Sequence, residues 1–198
     1  MIPARDNPFA SHRVESLRYR YPGFDFAVAV AQLEQMQWRA AILGPHGTGK
    51  TTLLLELYRY LQYSTNDRFK SIRLWLVPLD LKSRNQQWLE LLEECSPQQI
   101  LLVDGIERLS WTKQIRLLGL GPSWIHQSNL PKSIVVTTHR PVGLPVWLHT
   151  SSNCATMEEL LQELYPTASP ETINQARRLF TTRRGNIRDV FWKLYDCC

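Results

Sequence analysis

The sequence predicts an α/β fold in which a parallel β-sheet, covered by helices on both faces, leads into a small helical appendage. Three observations carry this. Short, nearly unbroken apolar runs alternate with amphipathic stretches up to about residue 152. A glycine-rich turn, Gly44 to Thr51, joins the first of these runs to the first strong helical pattern. Beyond residue 152 only helical periodicity remains. Strands buried on both faces read as continuous apolar runs rather than as alternating ones, and their alternation with helices is the pattern of a parallel sheet.

Residues 1–23 hold Pro3, Pro8, Pro22 and Gly23 among several arginines and are expected to form an irregular lead-in. Residues 24–37 place Phe26, Val30, Leu33 and Met36 or Trp38 at helical spacing. Trp38 to Leu43 is a buried strand that feeds the glycine-rich turn, and Thr51 to Tyr63 is a helix dominated by Leu53, Leu54, Leu57 and Leu61. Ile72 to Leu79 reads as a second strand and Gln86 to Glu94 as a helix. Gln99 to Asp104 is a third strand, apolar until it ends in a carboxylate. Ser110 to Leu118 is a short helix, Ser133 to Thr138 a fourth strand and Pro145 to His149 a weaker fifth. Helices follow at 157–165, 170–182 and 186–195, separated by Pro166, Pro170 and Gly185. The expected organisation is a lead-in over 1–23, a core over 24–152 and a helical subdomain over 153–198.

Composition sets the class. The 198 residues are 43% hydrophobic and 21% charged, ordinary for a globular protein. No apolar run has the length of a membrane span, and the first residues lack the apolar core of a secretory signal. A cytoplasmic location is the expectation. The net charge of +5 is mild, but Arg177-Arg178, Arg183-Arg184 and Arg188 cluster late in the chain. That cluster reads either as a phosphate- or nucleic-acid-facing patch or as a solvated helix face. Cys95, Cys154, Cys197 and Cys198 form no C-x-x-C pair, so zinc and dithiol redox patterns are absent and free thiols are expected.

Gly44-Pro45-His46-Gly47-Thr48-Gly49-Lys50-Thr51 meets the pattern G-x-x-x-x-G-K-T, with Thr52 next in the helix. Glycines let the chain turn so that successive backbone N–H groups point inward at phosphates, and the helix that opens near Lys50 adds its positive end. Lys50 supplies a full charge to the β- and γ-phosphates, and the Thr51 hydroxyl a ligand to magnesium. The position between a strand and a helix is the context that makes the pattern meaningful. The expected ligand is a nucleoside triphosphate, ATP with Mg2+.

Asp104, at the end of an apolar strand, is the expected second contributor to that metal. Gly105 follows it, where many P-loop ATPases carry a glutamate that polarises the attacking water. Glu107 is the nearest other carboxylate; it either serves the water or pairs with Arg108 or a lysine. At the end of the fourth strand, Thr137-Thr138-His139-Arg140 would lie near the γ-phosphate, and His139 is the expected phosphate-contacting group there.

The segments GPHGTGKTT, ILLVDGIERL, VVTTHRP and RGNIRDVFWKLYD resemble the AAA+ ATPases and their relatives among the additional-strand P-loop ATPases over about residues 24–195. The resemblance implies a P-loop NTPase three-layer sandwich with sheet order 5-1-4-3-2 and a small C-terminal helical lid. It makes VVTTHRP the sensor-1 segment, with His139 where the family usually has asparagine. It makes the last segment the sensor-2 helix, whose Arg188 would reach the γ-phosphate rather than pair with Asp189 or Glu171. Two departures stand out. The glutamate after Asp104 is missing, and residues 139–145 are too short to hold the helix that usually bears an arginine finger. Ring assembly is therefore not expected, and Arg140 and Arg116 are the substitutes for a finger. The lead-in segment Asn7-Pro8-Phe9 either packs near the adenine or serves ordinary packing.

The function expected from these residues is slow ATP hydrolysis coupled to a nucleotide-dependent switch or helper role, with a protein partner. The alternative is a small P-loop kinase that transfers the γ-phosphate to a small acceptor. A helper ATPase acting on nucleic acid is allowed by the late arginines. A GTPase of the Rab type, which the Cys197-Cys198 ending brings to mind, lacks both the N-K-x-D and the D-x-x-G segments here.

Overall fold

The computed structural model describes residues 7–20, 24–63, 69–121 and 130–197. They form two compact units. One comprises Asp25–Gly44 and Leu54–His149; the other takes the described residues of Met1–Phe24, Pro45–Leu53 and Thr150–Cys198.

The first unit is built on a five-stranded, all-parallel sheet of β1 (Arg39–Leu43), β2 (Ser71–Leu76), β3 (Gln99–Asp104), β4 (Ser133–Thr138) and β5 (Val146–His149). Its order is β2-β3-β4-β1-β5, the order 5-1-4-3-2 expected from the sequence, in an α/β fold. The register sets Ala41 beside Val136 and Trp75 beside Val103. These four residues share one apolar cluster with Trp88 and Leu91 of α4 (Leu81–Glu94) and with Leu117 and Leu118 of α5 (Trp111–Leu118). Their neighbours of opposite parity, Ala40, Ile42, Leu102 and Val135, are fully buried too, so the sheet is covered on its other face as well. The buried residues left to cover it are Ala29, Val30 and Leu33 of α2 (Phe26–Gln35) and Leu54, Leu57 and Leu61 of α3 (Lys50–Tyr63). The Trp147 indole N–H donates to the carbonyl of Ala29 at 2.7 Å and fastens α2 to β5.

Boundaries follow local chemistry. β2 stops at Leu76, short of the expected Leu79, because Pro78 has no N–H for a ladder; Val77 makes the last link, donating to the Asp104 carbonyl at 3.1 Å. α4 starts at Leu81, a turn earlier than its apolar spacing suggested, because the Asp80 carboxylate accepts from the Ser83 N–H at 2.8 Å. At the start of β1, Arg39 donates to the carbonyls of Lys132 and Leu118 at 2.9 and 2.6 Å.

The second unit holds α6 (Cys154–Leu164), α7 (Pro170–Thr182) and α8 (Ile187–Tyr195), each opened by a side-chain cap: Asn153, Ser169 and Asn186. Met157, Leu161, Ala176, Val190, Phe191 and Leu194 form its core. The lead-in is not irregular throughout, for Ser11–Ser16 form a short helix, α1. Its anchor is Phe9, 3% exposed, stacked on Phe191 at 5.7 Å and edge-on to Tyr165 at 6.2 Å. The Asn7 amide donates to the Tyr195 carbonyl at 3.1 Å. Of the two roles expected for Asn7-Pro8-Phe9, these contacts are those of packing.

One ion pair of this unit has a pH signature. Arg177 grips both oxygens of Glu158 at 2.7 and 2.9 Å, and the Cys154 thiol donates to the same carboxylate. The Arg177 bonds, helped by the thiol, hold the Glu158 carboxyl at about 2, against an ordinary 4.5. A depressed folded-state value means stabilisation that is complete above 4.5 and lost as the pH falls toward 2. Thermal melts across this window should show the wild type losing more of its midpoint than Glu158→Gln does. Parallel curves would mean the pair contributes nothing, the usual fate of an exposed bridge.

Candidate functional site

The phosphate loop lies in the unit that holds the C-terminal helices. Gly47 and Gly49 take φ values of +71° and +87°, a left-handed conformation that side chains rarely adopt and that turns neighbouring N–H groups to one side of the chain. Lys50 is the first residue of the 14-residue α3 and is 8% exposed. Its ammonium donates to the Pro45 carbonyl at 2.5 Å, so it is held across the loop rather than extended into solvent. Thr48 binds the same carbonyl at 2.9 Å and the Thr150 hydroxyl at 2.7 Å. His46 and Thr51 are exposed, and Thr52 is half-buried.

The glycines of the loop serve close packing as well as conformation. A Cβ on Gly47 would stand 1.8 Å from Oδ1 of Asn186, and one on Gly49 would stand 2.9 Å from the ring of Tyr19. The Asn186 oxygen also accepts from the Asp189 N–H at 3.2 Å, capping α8. One side chain thus touches the phosphate loop and starts the helix that bears Arg188. Arg188 itself is exposed and has no ion-pair partner among the described residues, so the pairings with Asp189 or Glu171 are not formed.

The sheet unit gathers the remaining expected residues at the C-terminal ends of β3, β4 and β1. Asp104 is 9% exposed. Thr137, beside it on β4, donates its hydroxyl to Asp104 Oδ1 at 2.7 Å and accepts from the Gly105 N–H at 2.8 Å. The sequence places Thr137 near the γ-phosphate without a role of its own; here it fixes the Asp104 carboxylate. Gly105 has φ +79°, and the Arg108 guanidinium lies 3.1 Å from where its Cβ would be. A glutamate directly after Asp104 would therefore be strained by the backbone conformation and would press on the Arg108 side chain. That arginine is anchored in turn by a bond of 2.6 Å to the Val77 carbonyl.

Glu107 pairs with neither Arg108 nor a lysine. Its Oε1 lies 3.0 Å from Nε2 of His139, whose Nδ1 lies 2.9 Å from the carbonyl of Gly44. Glu107 Oε2 is buried without a hydrogen-bond partner. Residues 139–145 hold no helix, Arg140 is exposed, and the Arg116 Nε is buried without a partner.

Solved structures similar to this chain include two variants of RuvB from Thermotoga maritima, with TM-scores of 0.45 and 0.43 at 15% and 16% identity. Each match covers 86% of this chain and 66% or 67% of the other, so the chain spans about two thirds of their length. No family model and no curated protein matches the sequence.

The donor set can be tested against a triphosphate and its metal. Among the described residues no three His, Cys, Asp or Glu side chains converge to hold an ion by themselves. Magnesium does not ask for that; it is usually held through one or two carboxylates, waters and the substrate's own phosphates. A buried aspartate with one oxygen bound by Thr137 suits that sparse mode. Among the described residues no helix is long and apolar enough to cross a membrane.

Proposed function

We propose that the chain binds ATP with Mg2+ and hydrolyses it slowly, as a nucleotide-dependent switch or helper ATPase. The observation that carries this reading is the phosphate loop itself. Two left-handed glycines precede a buried lysine at the first position of a long helix. Successive inward N–H groups, the positive helix end and one cation form a receptor for consecutive phosphates. In this reading Gly44, Pro45, His46, Gly47, Thr48 and Gly49 wrap the phosphates, with Thr52 in the first turn behind them. Lys50 neutralises the β- and γ-phosphates, and Thr51 and Asp104 hold the metal. Mg2+ would supply charge neutralisation between the phosphates. His139 and Arg188 are the groups that respond to the γ-phosphate.

Slow turnover follows from how Glu107 is held. Water attack needs a group within hydrogen-bond reach to orient or deprotonate it. Gly105 offers none, and Glu107 is engaged by His139. An arginine finger, where one operates, is worth roughly a thousandfold or more. The isolated protein should therefore turn over well below the ~10 per second typical of enzymes. Glu107→Gln should lower the residual rate if that carboxylate serves the water.

The test is to incubate the protein with γ-labelled ATP and follow label as free phosphate, alone and with a panel of small acceptors. Slow release that acceptors do not raise supports the ATPase reading. Transfer of label to an acceptor would replace it with the kinase reading.

A further inference from the structure

The charge of the helical unit is segregated. Between Thr172 and Arg188 there are five arginines, at 177, 178, 183, 184 and 188, and no carboxylate. Arg177 is neutralised by Glu158. Arg178, Arg183 and Arg184 are exposed and have no ion-pair partner among the described residues. Of the three acidic residues of α6, Glu158 answers Arg177, Glu163 answers Arg20 at 2.6 Å, and Glu159 is exposed and forms no ion pair with these arginines. Lys193 is matched by Asp196 at 3.6 Å.

The backbone of the turn adds a second observation. Arg184 has φ +52°, left-handed, where glycine or asparagine is the cheaper residue. The chain keeps a charged side chain at a position whose conformation disfavours it, and that side chain is exposed.

The third observation is aromatic. Ile187, Val190, Phe191 and Leu194 bury one face of α8. Trp192, on the opposite face, is 71% exposed. It stands one turn beyond Arg188 on the helix that leaves the arginine turn, since residues four apart share a helix face. An exposed indole on the helix that follows the arginine turn, in a unit with three unpaired guanidinium groups, supplies the two elements that grip a single strand: cations for phosphates and a platform for an unstacked base.

We propose that the turn between α7 and α8, with Trp192, is a binding surface for single-stranded nucleic acid. Arg178, Arg183 and Arg184 take backbone phosphates, and Trp192 stacks on a base. A single strand is favoured over a duplex because duplex bases are already stacked on one another and closed to the indole. Arg188 and Lys50 have no part in this surface, so it stands or falls apart from the triphosphate reading.

Anisotropy of a labelled oligodeoxythymidylate, titrated with the full chain at several salt concentrations, tests the proposal. The wild type should bind with an affinity that falls steeply with salt. The triple variant Arg178→Ala, Arg183→Ala, Arg184→Ala should bind weakly, with a log–log salt slope smaller by about 2, since each lost phosphate contact on a single strand removes roughly 0.7. Trp192→Ala should weaken binding by about tenfold with the slope unchanged, within the range for one stacked base. Arg184→Gly relieves the left-handed residue, so its thermal midpoint should hold or rise while affinity falls, which separates lost contacts from lost fold. ATP binding, measured on the same variants, should not change. No anisotropy change at low salt overturns the proposal. So does a triple variant that binds like the wild type, or a duplex bound as tightly as the single strand with Trp192→Ala silent.

Discussion

Lys50→Ala is expected to lower ATP affinity by roughly a hundredfold, the equivalent of about 3 kcal/mol for hydrogen bonds to a charged group. The side chain is buried in the loop, and it donates to the Pro45 carbonyl of the loop itself. Its loss removes the only full charge among residues 44–51 and leaves the Pro45 carbonyl with its bond from Thr48. Stability should change by no more than about 1 kcal/mol, the net worth of an ordinary hydrogen bond. Titration with a fluorescent ATP analogue, alongside a thermal melt, checks both parts. A well-folded variant with wild-type affinity would dismiss the phosphate loop as a binding element.

Gly47→Ala should be the most damaging single methyl in the protein. Alanine there must adopt a left-handed conformation, which costs about 1–2 kcal/mol. Its Cβ also falls 1.8 Å from Asn186 Oδ1 and 3.0 Å from the Asn186 Cα, so the side chain that caps α8 has to leave. Loss of such a cap costs typically ~1 kcal/mol. Together these amount to about 2–3 kcal/mol, or roughly 5–10 °C in a chain of this size. Asn186→Ala alone should cost only the cap. Because Gly47→Ala already expels that cap, the double variant should be more stable than the sum of the two losses predicts. Additive losses would mean that the loop and the start of α8 do not share this contact.

What could be read from the sequence divides along a physical line. Strands β3 and β4 begin and end at the residues expected, because continuous apolar runs bounded by polar residues leave little choice. The phosphate loop was legible because its chemistry is local: glycines, lysine and threonine within eight consecutive residues. The dependence of Asp104 on Thr137 was not, for the two are 33 positions apart and meet only through the register of β3 and β4. The pairing of Glu107 with His139 was hidden in the same way, and it also depends on the left-handed turn at Gly105. The last helix was expected from residue 186, but that Asn186 caps it and meets Gly47 depends on how α8 packs. The anchoring of Phe9 among the C-terminal helices rests on contacts spanning nearly the whole chain, which local periodicity does not register.

The central claim is that this chain is a receptor for ATP and Mg2+. Calorimetric titration of the purified protein with ATP, in magnesium and again in excess chelator, tests it most directly. The expected result is one nucleotide bound per chain in magnesium, with clearly weaker binding once the metal is removed. An absence of binding heat at millimolar ATP in magnesium, together with no protection against thermal unfolding, would contradict it.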